Sequence, residues 1–220
     1  MQGQGMPRPC RYGFKNIAMR FEKVSYHLKE IDDPEILERL PLEMQTFLQQ
    51  VNGMIALGGG IHFRGCCKAP TWHSIREAWM GECAFHKDYD CIRSSDIPFA
   101  QDCMGDQFFW RDGQVIRLLA ETDELELLHV GFNGFLRNIQ EDPVNYLKLR
   151  PLQEFENEHH KTLKPGQLLN IYPPYCLQEK NDTYRLKAVS VEDRLDFLAD
   201  LARKIRNLPR GRKLRIKPIE

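Results

Sequence analysis

Cysteine and histidine residues are concentrated in one segment of the chain, residues 62–103. This segment holds five cysteines and three histidines, namely Cys66, Cys67, Cys83, Cys91, Cys103, His62, His73 and His86. Both residue types are ligands of structural zinc, whose sites normally show two pairs of ligands with about two to four residues between partners. Cys83 and His86 form the one pair with two residues between its members, and Cys66 and Cys67 are adjacent. The pattern therefore favours packed thiols, and we predict neither a metal site nor a cofactor.

A cysteine nucleophile is the second chemistry that this segment could support. Cys66 and Cys67 precede Lys68, and a reactive thiolate needs both an electropositive neighbour and a nearby base. No local signature of a known cysteine enzyme surrounds them. We predict no catalytic residue, and a metal- or cysteine-dependent enzyme that uses residues 62–103 remains an open alternative.

Charge is segregated along the chain, although its 31 basic and 31 acidic residues balance. Residues 1–30 carry a net charge of +4 and residues 203–220 a net charge of +7, which leaves −11 on residues 31–202. An acidic surface steers a protein towards a basic partner. We therefore predict a partner-binding edge formed by six aspartates that fall within 25 residues: Asp88, Asp90, Asp96, Asp102, Asp106 and Asp112.

The basic run at residues 203–217 is a candidate for binding nucleic acid, because such runs attract phosphates in a salt-dependent manner. Proteins that bind single strands interleave aromatic side chains with basic ones, and this run contains no aromatic residue. A solvated run, or one that lies on the acidic body, is the competing interpretation. We predict a protein partner rather than a nucleic acid.

The secondary structure that must position these residues follows from hydrophobic periodicity. Phe21, Val24, Leu28 and Ile31 have helical spacing, and Asp33 followed by Pro34 is typical of a helix start. An Asp-Gly pair at residues 112–113 predicts a hairpin. The further elements that we predict are helices near residues 42–51, 71–80, 132–139 and 190–205, and strands near residues 61–63, 108–111, 115–119, 125–128, 168–172 and 184–189. This order predicts an α+β fold.

The domain organisation that we predict has three parts. Residues 1–19 form a flexible N-terminus, residues 20–150 a domain, and residues 151–220 an extension of two strands, one helix and a basic tail packed on that domain. Phe109 and Trp110 must point to opposite faces of their strand, so we expect a second packed layer on one face. No apolar run approaches the roughly 18 residues of a membrane span, and no signal peptide is present, which predicts a cytoplasmic protein without membrane contact.

The order of several short motifs resembles the SUKH superfamily, which includes fungal cell-wall-synthesis regulators. The residues that carry this resemblance, and to which it assigns a structural role, are Pro41, Asn52, Gly53, Trp72, Pro98, Phe99, Asp102, Gly105, Asp106 and Gly113. The resemblance implies a twisted, mainly antiparallel sheet with helices on one face and at the ends. Within it, we expect Gly105 to take a positive φ and the carboxylates of Asp102 and Asp106 to cap the free amides of a turn.

The resemblance also implies a binding protein rather than an enzyme. Bacterial members of the superfamily are immunity proteins that neutralise protein toxins, and fungal members are regulatory scaffolds. Together with the acidic body of the chain, this favours an immunity protein that occludes a basic toxin. A cytoplasmic regulatory or scaffold protein of the same family is the alternative.

Overall fold

The computed structural model describes residues 21–178 and 183–208, so the predicted flexible N-terminus and the basic residues after 208 lie outside the described residues. The fold belongs to the α+β class, as predicted. Seven strands form one sheet in chain order, and all neighbouring strands are antiparallel: β1 (Tyr26–His27), β2 (Met54–Ala56), β3 (Ile61–Phe63), β4 (Ile97–Asp102), β5 (Gln107–Arg111), β6 (Gln114–Leu119) and β7 (Glu124–Leu127). A separate antiparallel ribbon consists of β8 (Gln167–Tyr172) and β9 (Arg185–Ser190).

The helices within these residues are α1 (Pro34–Arg39), α2 (Leu42–Gln50), α3 (Ile75–Met80), α4 (Phe132–Glu141), α5 (Pro143–Tyr146), α6 (Arg150–His159) and α7 (Val191–Arg206). Two of them begin where their capping residues predict. The Asp33 carboxylate accepts a hydrogen bond from the amide of Ile36, and the Ser190 hydroxyl accepts one from the amide of Asp193. No helix in the described ranges is long and apolar enough to cross a bilayer.

One local prediction is wrong, and two elements were not predicted. The helical spacing of residues 21–31 does not produce a helix, because Lys23 has a φ of +47° and residues 26–27 pair with β2 as an edge strand. The three-residue strand β2 is too short to show a period. Residues 150–159 are mostly polar in sequence, yet they form α6, which buries Leu152 and Phe155.

Adjacent residues of β5 point to two different hydrophobic cores. Phe108 packs into the larger core, together with Phe63 and Phe135 from β3 and α4. Phe109 lies on the opposite face, in a second core that includes Leu198 of α7. The C-terminal helix therefore covers the second face of the sheet, and the residue that points away from the main core is packed rather than exposed.

The β8–β9 ribbon is joined to the sheet through the end of β4. The amide of Leu169 donates a hydrogen bond to the carbonyl of Cys103 over 2.8 Å. Leu169, Ile171 and Leu186 are buried in the larger core. This attachment fixes the start of α7, which follows β9 directly, beside the residues of α3.

Candidate protein-binding site

The six aspartates predicted to form one binding edge do not share a surface, and two of them are buried. Asp96 and Asp102 are 2 % and 1 % exposed, and they form ion pairs with Arg111 and Arg117, respectively. Burial and the nearby Asp106 carboxylate raise the pKa of Asp102 to about 6, against the opposing effect of Arg117. The prediction fails for these two residues because arginines on the neighbouring hairpin draw their carboxylates into the fold.

Three other aspartates of the set already contact arginine side chains, which makes them less available to a partner protein. Asp90 and Asp112 are exposed but form ion pairs with Arg206 and Arg93. The carboxylate of Asp106 is 18 % exposed and faces Arg117. Asp88 is the one member of the set that lines the groove between α3 and α7, which is described below.

The turn between β4 and β5 is built as the sequence motif predicts. One carboxylate oxygen of Asp102 accepts hydrogen bonds from the amides of Met104, Gly105 and Asp106 over 2.9, 3.0 and 3.1 Å. Gly105 has a φ of +97°, which glycine adopts without steric cost. Asp106 in turn accepts a hydrogen bond from the amide of Ala120. These carboxylates therefore hold the loop together.

The remaining motif residues also lie at structural positions. Pro41 is the N-cap of α2, and Pro98 and Phe99 are buried in β4. Gly113 follows Asp112 in the β5–β6 turn, where both residues have a positive φ of +88° and +49°. This conformation matches the right-handed twist of a hairpin.

Asn52, Gly53 and Trp72 surround a buried pair of histidines. The Asn52 side chain accepts a hydrogen bond from the amide of Cys66 over 2.7 Å, and a Cβ on Gly53 would lie 2.5 Å from Nε2 of His73. His62 Nε2 and His73 Nδ1 are 2.7 Å apart. The ring of Trp72 meets both imidazoles edge-on.

Apart from the contact between His62 and His73, the cysteine and histidine segment forms no cluster of possible metal ligands in the described residues. The described residues contain no group of three or more His, Cys, Asp or Glu side chains that could hold a metal ion. Burial raises the pKa of Cys66, Cys67 and Cys91 to about 12, and that of Cys103 well above its usual value. These four thiols are therefore protonated at neutral pH, which disfavours a nucleophilic role.

A groove of about 430 Å³ runs between α3 with the residues that follow it and the first half of α7. Its apolar lining comes from both sides and includes Trp72, Phe85 and Leu195. Five carboxylate side chains line it as well: Glu77, Glu82, Asp88, Glu192 and Asp196. Arg64 is the one basic residue among the described residues that line this groove. We call it the acidic groove.

Only Asp88 of these five acids belongs to the predicted edge, and sequence reasoning missed the other four. A signal for two of them exists in α7. Glu192 and Asp196 are four residues apart, which places them on the same helix face as Leu195 and Ala199. That face carries acids beside apolar residues, which is unusual for a side that packs only against a core.

A second cavity, of about 700 Å³, lies where the extension meets the β4–β5 turn. Its buried charges are paired with one another. Arg117 faces Asp102 and Asp106, and the Arg194 guanidinium donates to the Met104 carbonyl and lies 3.7 Å from Glu121. These contacts connect α7 to the sheet. We therefore interpret the charged residues of this cavity as groups that stabilise the fold.

No protein-family model matches the chain, and no curated protein is significantly similar to it.

Proposed function

We propose that this protein is a non-catalytic binding module whose acidic groove holds a basic segment of a partner protein. The observation that carries the proposal is the composition of the groove lining, in which five carboxylates accompany one base. Complementary charge of this kind raises the association rate and selects a basic partner over an acidic one.

The apolar lining of the groove supports a macromolecular partner. Trp72 and Leu195 are only partly buried although they lie beside a core, and tryptophan side chains are frequent anchors of protein interfaces. Lysine and arginine side chains have long apolar stems. Such stems can cover Trp72 and Phe85 while their charged ends reach the carboxylates at the rim.

The class of partner that we propose follows from the resemblance to SUKH proteins. Bacterial proteins of that superfamily neutralise toxins, so we propose that the basic segment belongs to a toxin whose active site is occluded. The raised pKa values of the buried thiols support a binding role over cysteine chemistry. A regulatory scaffold would use the same groove for a different basic partner.

The proposal can be tested by selecting peptides against the chain of 220 residues. A phage library of random 12-residue peptides is enriched on the wild-type protein and then tested on the E192K/D196K variant. Both residues are exposed, so reversing their charges leaves the core intact. We expect the enriched peptides to be rich in lysine and arginine and to lose at least tenfold in affinity on this variant.

The matched control is E141K/E158K, which makes the same change in net charge at exposed sites on α4 and α6. We expect this control to bind like the wild type, and binding to the wild type to weaken as salt is added. Enriched peptides without basic residues, or equal binding to E192K/D196K, would contradict the proposal. Peptide binding that occurs only after K213Q/R215Q is introduced would make the chain's own basic C-terminus the occupant instead.

A further inference from the structure

The seven-stranded sheet ends at β7, whose outer edge is open among the described residues. β7 pairs with β6 on its other side, and the amide of Leu128, just after β7, donates a hydrogen bond to the carbonyl of Val115 over 3.2 Å. Pairing alternates along an antiparallel ladder, so Glu126 directs its amide and carbonyl towards β6. Leu125 and Leu127 direct theirs outwards, and no group in the described ranges is hydrogen-bonded to them.

The two faces of this edge differ in chemistry. Leu125 packs partly against the second core, and Leu127, on the same face, is 53 % exposed. The opposite face carries Glu124, which is exposed, and Glu126, whose carboxylate lies 3.5 Å from the exposed Lys148. An open edge of this kind is a template for a further strand. The strand that fits it alternates apolar residues with bases, because cross-strand pairs of like polarity and of opposite charge stabilise a sheet.

Residues 213–217 have this alternation in the sequence Lys-Leu-Arg-Ile-Lys, and they lie outside the described residues. Period-two alternation is typical of a strand with one apolar and one polar face. Beside β7, Leu214 and Ile216 would continue the apolar face that Leu127 exposes. The three bases of the segment would then face the two glutamates of β7. The segment therefore matches the edge in both apolar pattern and charge.

The end of α7 brings this segment close to the edge. Arg206, in the last turn of α7, forms an ion pair with Asp123, in which Nη1 and Oδ2 are 2.7 Å apart. Asp123 directly precedes β7. Only residues 207–212 separate Arg206 from Lys213, and when extended they span about 20 Å, which exceeds the roughly 14 Å length of a four-residue strand. Pro209 and Gly211 in this link are typical of a turn.

We infer that the outer edge of β7 is a strand-docking site and that residues 213–217 of the same chain occupy it. The outward amides and carbonyls of Leu125 and Leu127 pair with the backbone of this segment, as in β-augmentation. Docking covers an edge that would otherwise pair with other chains. The inference does not depend on the proposed function, because no residue of β7 is among the described residues that line the acidic groove.

Amide hydrogen exchange of the full chain, followed by NMR, tests this docking. The outward amides of Leu125 and Leu127 are the probes, since they exchange quickly at an open edge and slowly when they are paired. The amide of Leu118, in the register of β6 with Gln107 of β5, reports whether the sheet is intact. Nuclear Overhauser contacts between Leu127 and residues 213–217 are recorded on the same wild-type sample.

Two variants alter the segment in different ways. R215P/I216P removes two adjacent backbone donors, and successive residues of a strand direct their amides to opposite sides, so one of the two faces β7 in either orientation. K213E/R215E reverses two charges and keeps the backbone donors. The matched control is R210E/R212E, which makes the same change in net charge before the segment.

We expect the amides of Leu125 and Leu127 to exchange at least tenfold more slowly in the wild type than in R215P/I216P. In K213E/R215E their exchange should be at least threefold faster than in the wild type, because like charges then face each other across the edge. R210E/R212E should stay close to the wild type. The amide of Leu118 should remain protected in all four proteins.

Three results would overturn the inference. The first is equal exchange of the two probes in the wild type and R215P/I216P, together with an absence of contacts between Leu127 and residues 213–217. The second is an equal loss of protection in R210E/R212E and K213E/R215E, which would make the effect one of overall charge. The third is protection that disappears on tenfold dilution, which would assign the edge to a second copy of the chain. None of these results bears on the selection of basic peptides by the groove, so the two proposals fail separately.

Discussion

Acidification should destabilise this protein through the buried pair of His62 and His73. Nε2 of His73 lies 3.5 Å from the carbonyl of Asn52, which requires a proton on that nitrogen. Nδ1 of the same ring is then an acceptor, so His62 donates to it across the 2.7 Å contact. Each ring thus carries one proton, and a further proton on His73 would remove this acceptor and leave a charge without a partner.

The size of the effect follows from the pKa of His73. Burial lowers this pKa from 6.5 to about 4, and burial together with His73 lowers the pKa of His62 well below its usual value. Between about pH 4 and pH 6.5, the unfolded chain binds more protons at His73 than the folded chain does. The free energy of unfolding therefore falls as the pH falls. One pKa unit corresponds to about 1.4 kcal/mol. Acidification from pH 7 to pH 5 should therefore cost about 2 kcal/mol from His73 alone.

The assay is urea unfolding of the full chain at pH 7, 6 and 5. The slope of the free energy of unfolding against urea concentration is compared between these conditions, since a constant slope is expected of two-state unfolding. The test variant is H62Q/H73N, in which the amide of residue 62 can donate and the carbonyl of residue 73 can accept without titrating. The control is H27Q, which removes an exposed histidine. Because this variant removes both histidines, and the pKa of His62 is lowered as well, we expect it to lose at least about 2 kcal/mol less than the wild type between pH 7 and pH 5.

H27Q should keep the pH dependence of the wild type, because other titrating groups are common to all three proteins. The reasoning would be refuted by a double variant that loses as much stability on acidification as the wild type does. The same conclusion would follow if H27Q reduced the pH dependence to the same extent.

Two further predictions concern the parts of the fold that hold the groove in place. Asp102→Ala removes the acceptor of three backbone amides and leaves Arg117 with Asp106 alone, so urea unfolding should show a loss of about 3–5 kcal/mol; a loss below 1 kcal/mol would contradict the role of this carboxylate. Phe109→Ala opens a cavity in the second core, beneath α7, and should cost about 3–5 kcal/mol in the same measurement. Faster proteolysis within α7 should accompany that loss, and unchanged cleavage would show that α7 does not depend on this core.

The elements that sequence predicts correctly are those with a strong local signal. The β5–β6 hairpin follows from Asp112 and Gly113, since few other residue pairs accept a positive φ at both positions. The start of α7 follows from Ser190, whose hydroxyl satisfies a free amide of the first turn. Residues 26–27 have no comparable signal, because an edge strand of two residues depends entirely on the partner strand β2.

The binding site is less predictable than the fold because it combines segments far apart in the chain. Proximity in sequence grouped Asp96 and Asp102 with Asp88, but arginines of β5 and β6 neutralise the first two inside the protein. The acids that do line the groove come from α3 and its following loop and from α7, more than 100 residues apart. Only the packing of the extension on the sheet brings them together.

Arg64 is the residue for which the fold itself offers the least explanation. Arg111, Arg117 and Arg194 each have a carboxylate within 4 Å, and each joins two segments of the chain. Arg64 instead contacts two neutral glutamines on the adjacent strands, and an apolar residue of similar size would avoid the cost of burying its charge. The buried charge of Arg64 should therefore be a cost to the stability of the fold. Urea unfolding of R64M tests this: an unchanged or higher free energy of unfolding would confirm that the charge is a cost, whereas a clear loss would show that the hydrogen bonds to Gln101 and Gln107 outweigh it.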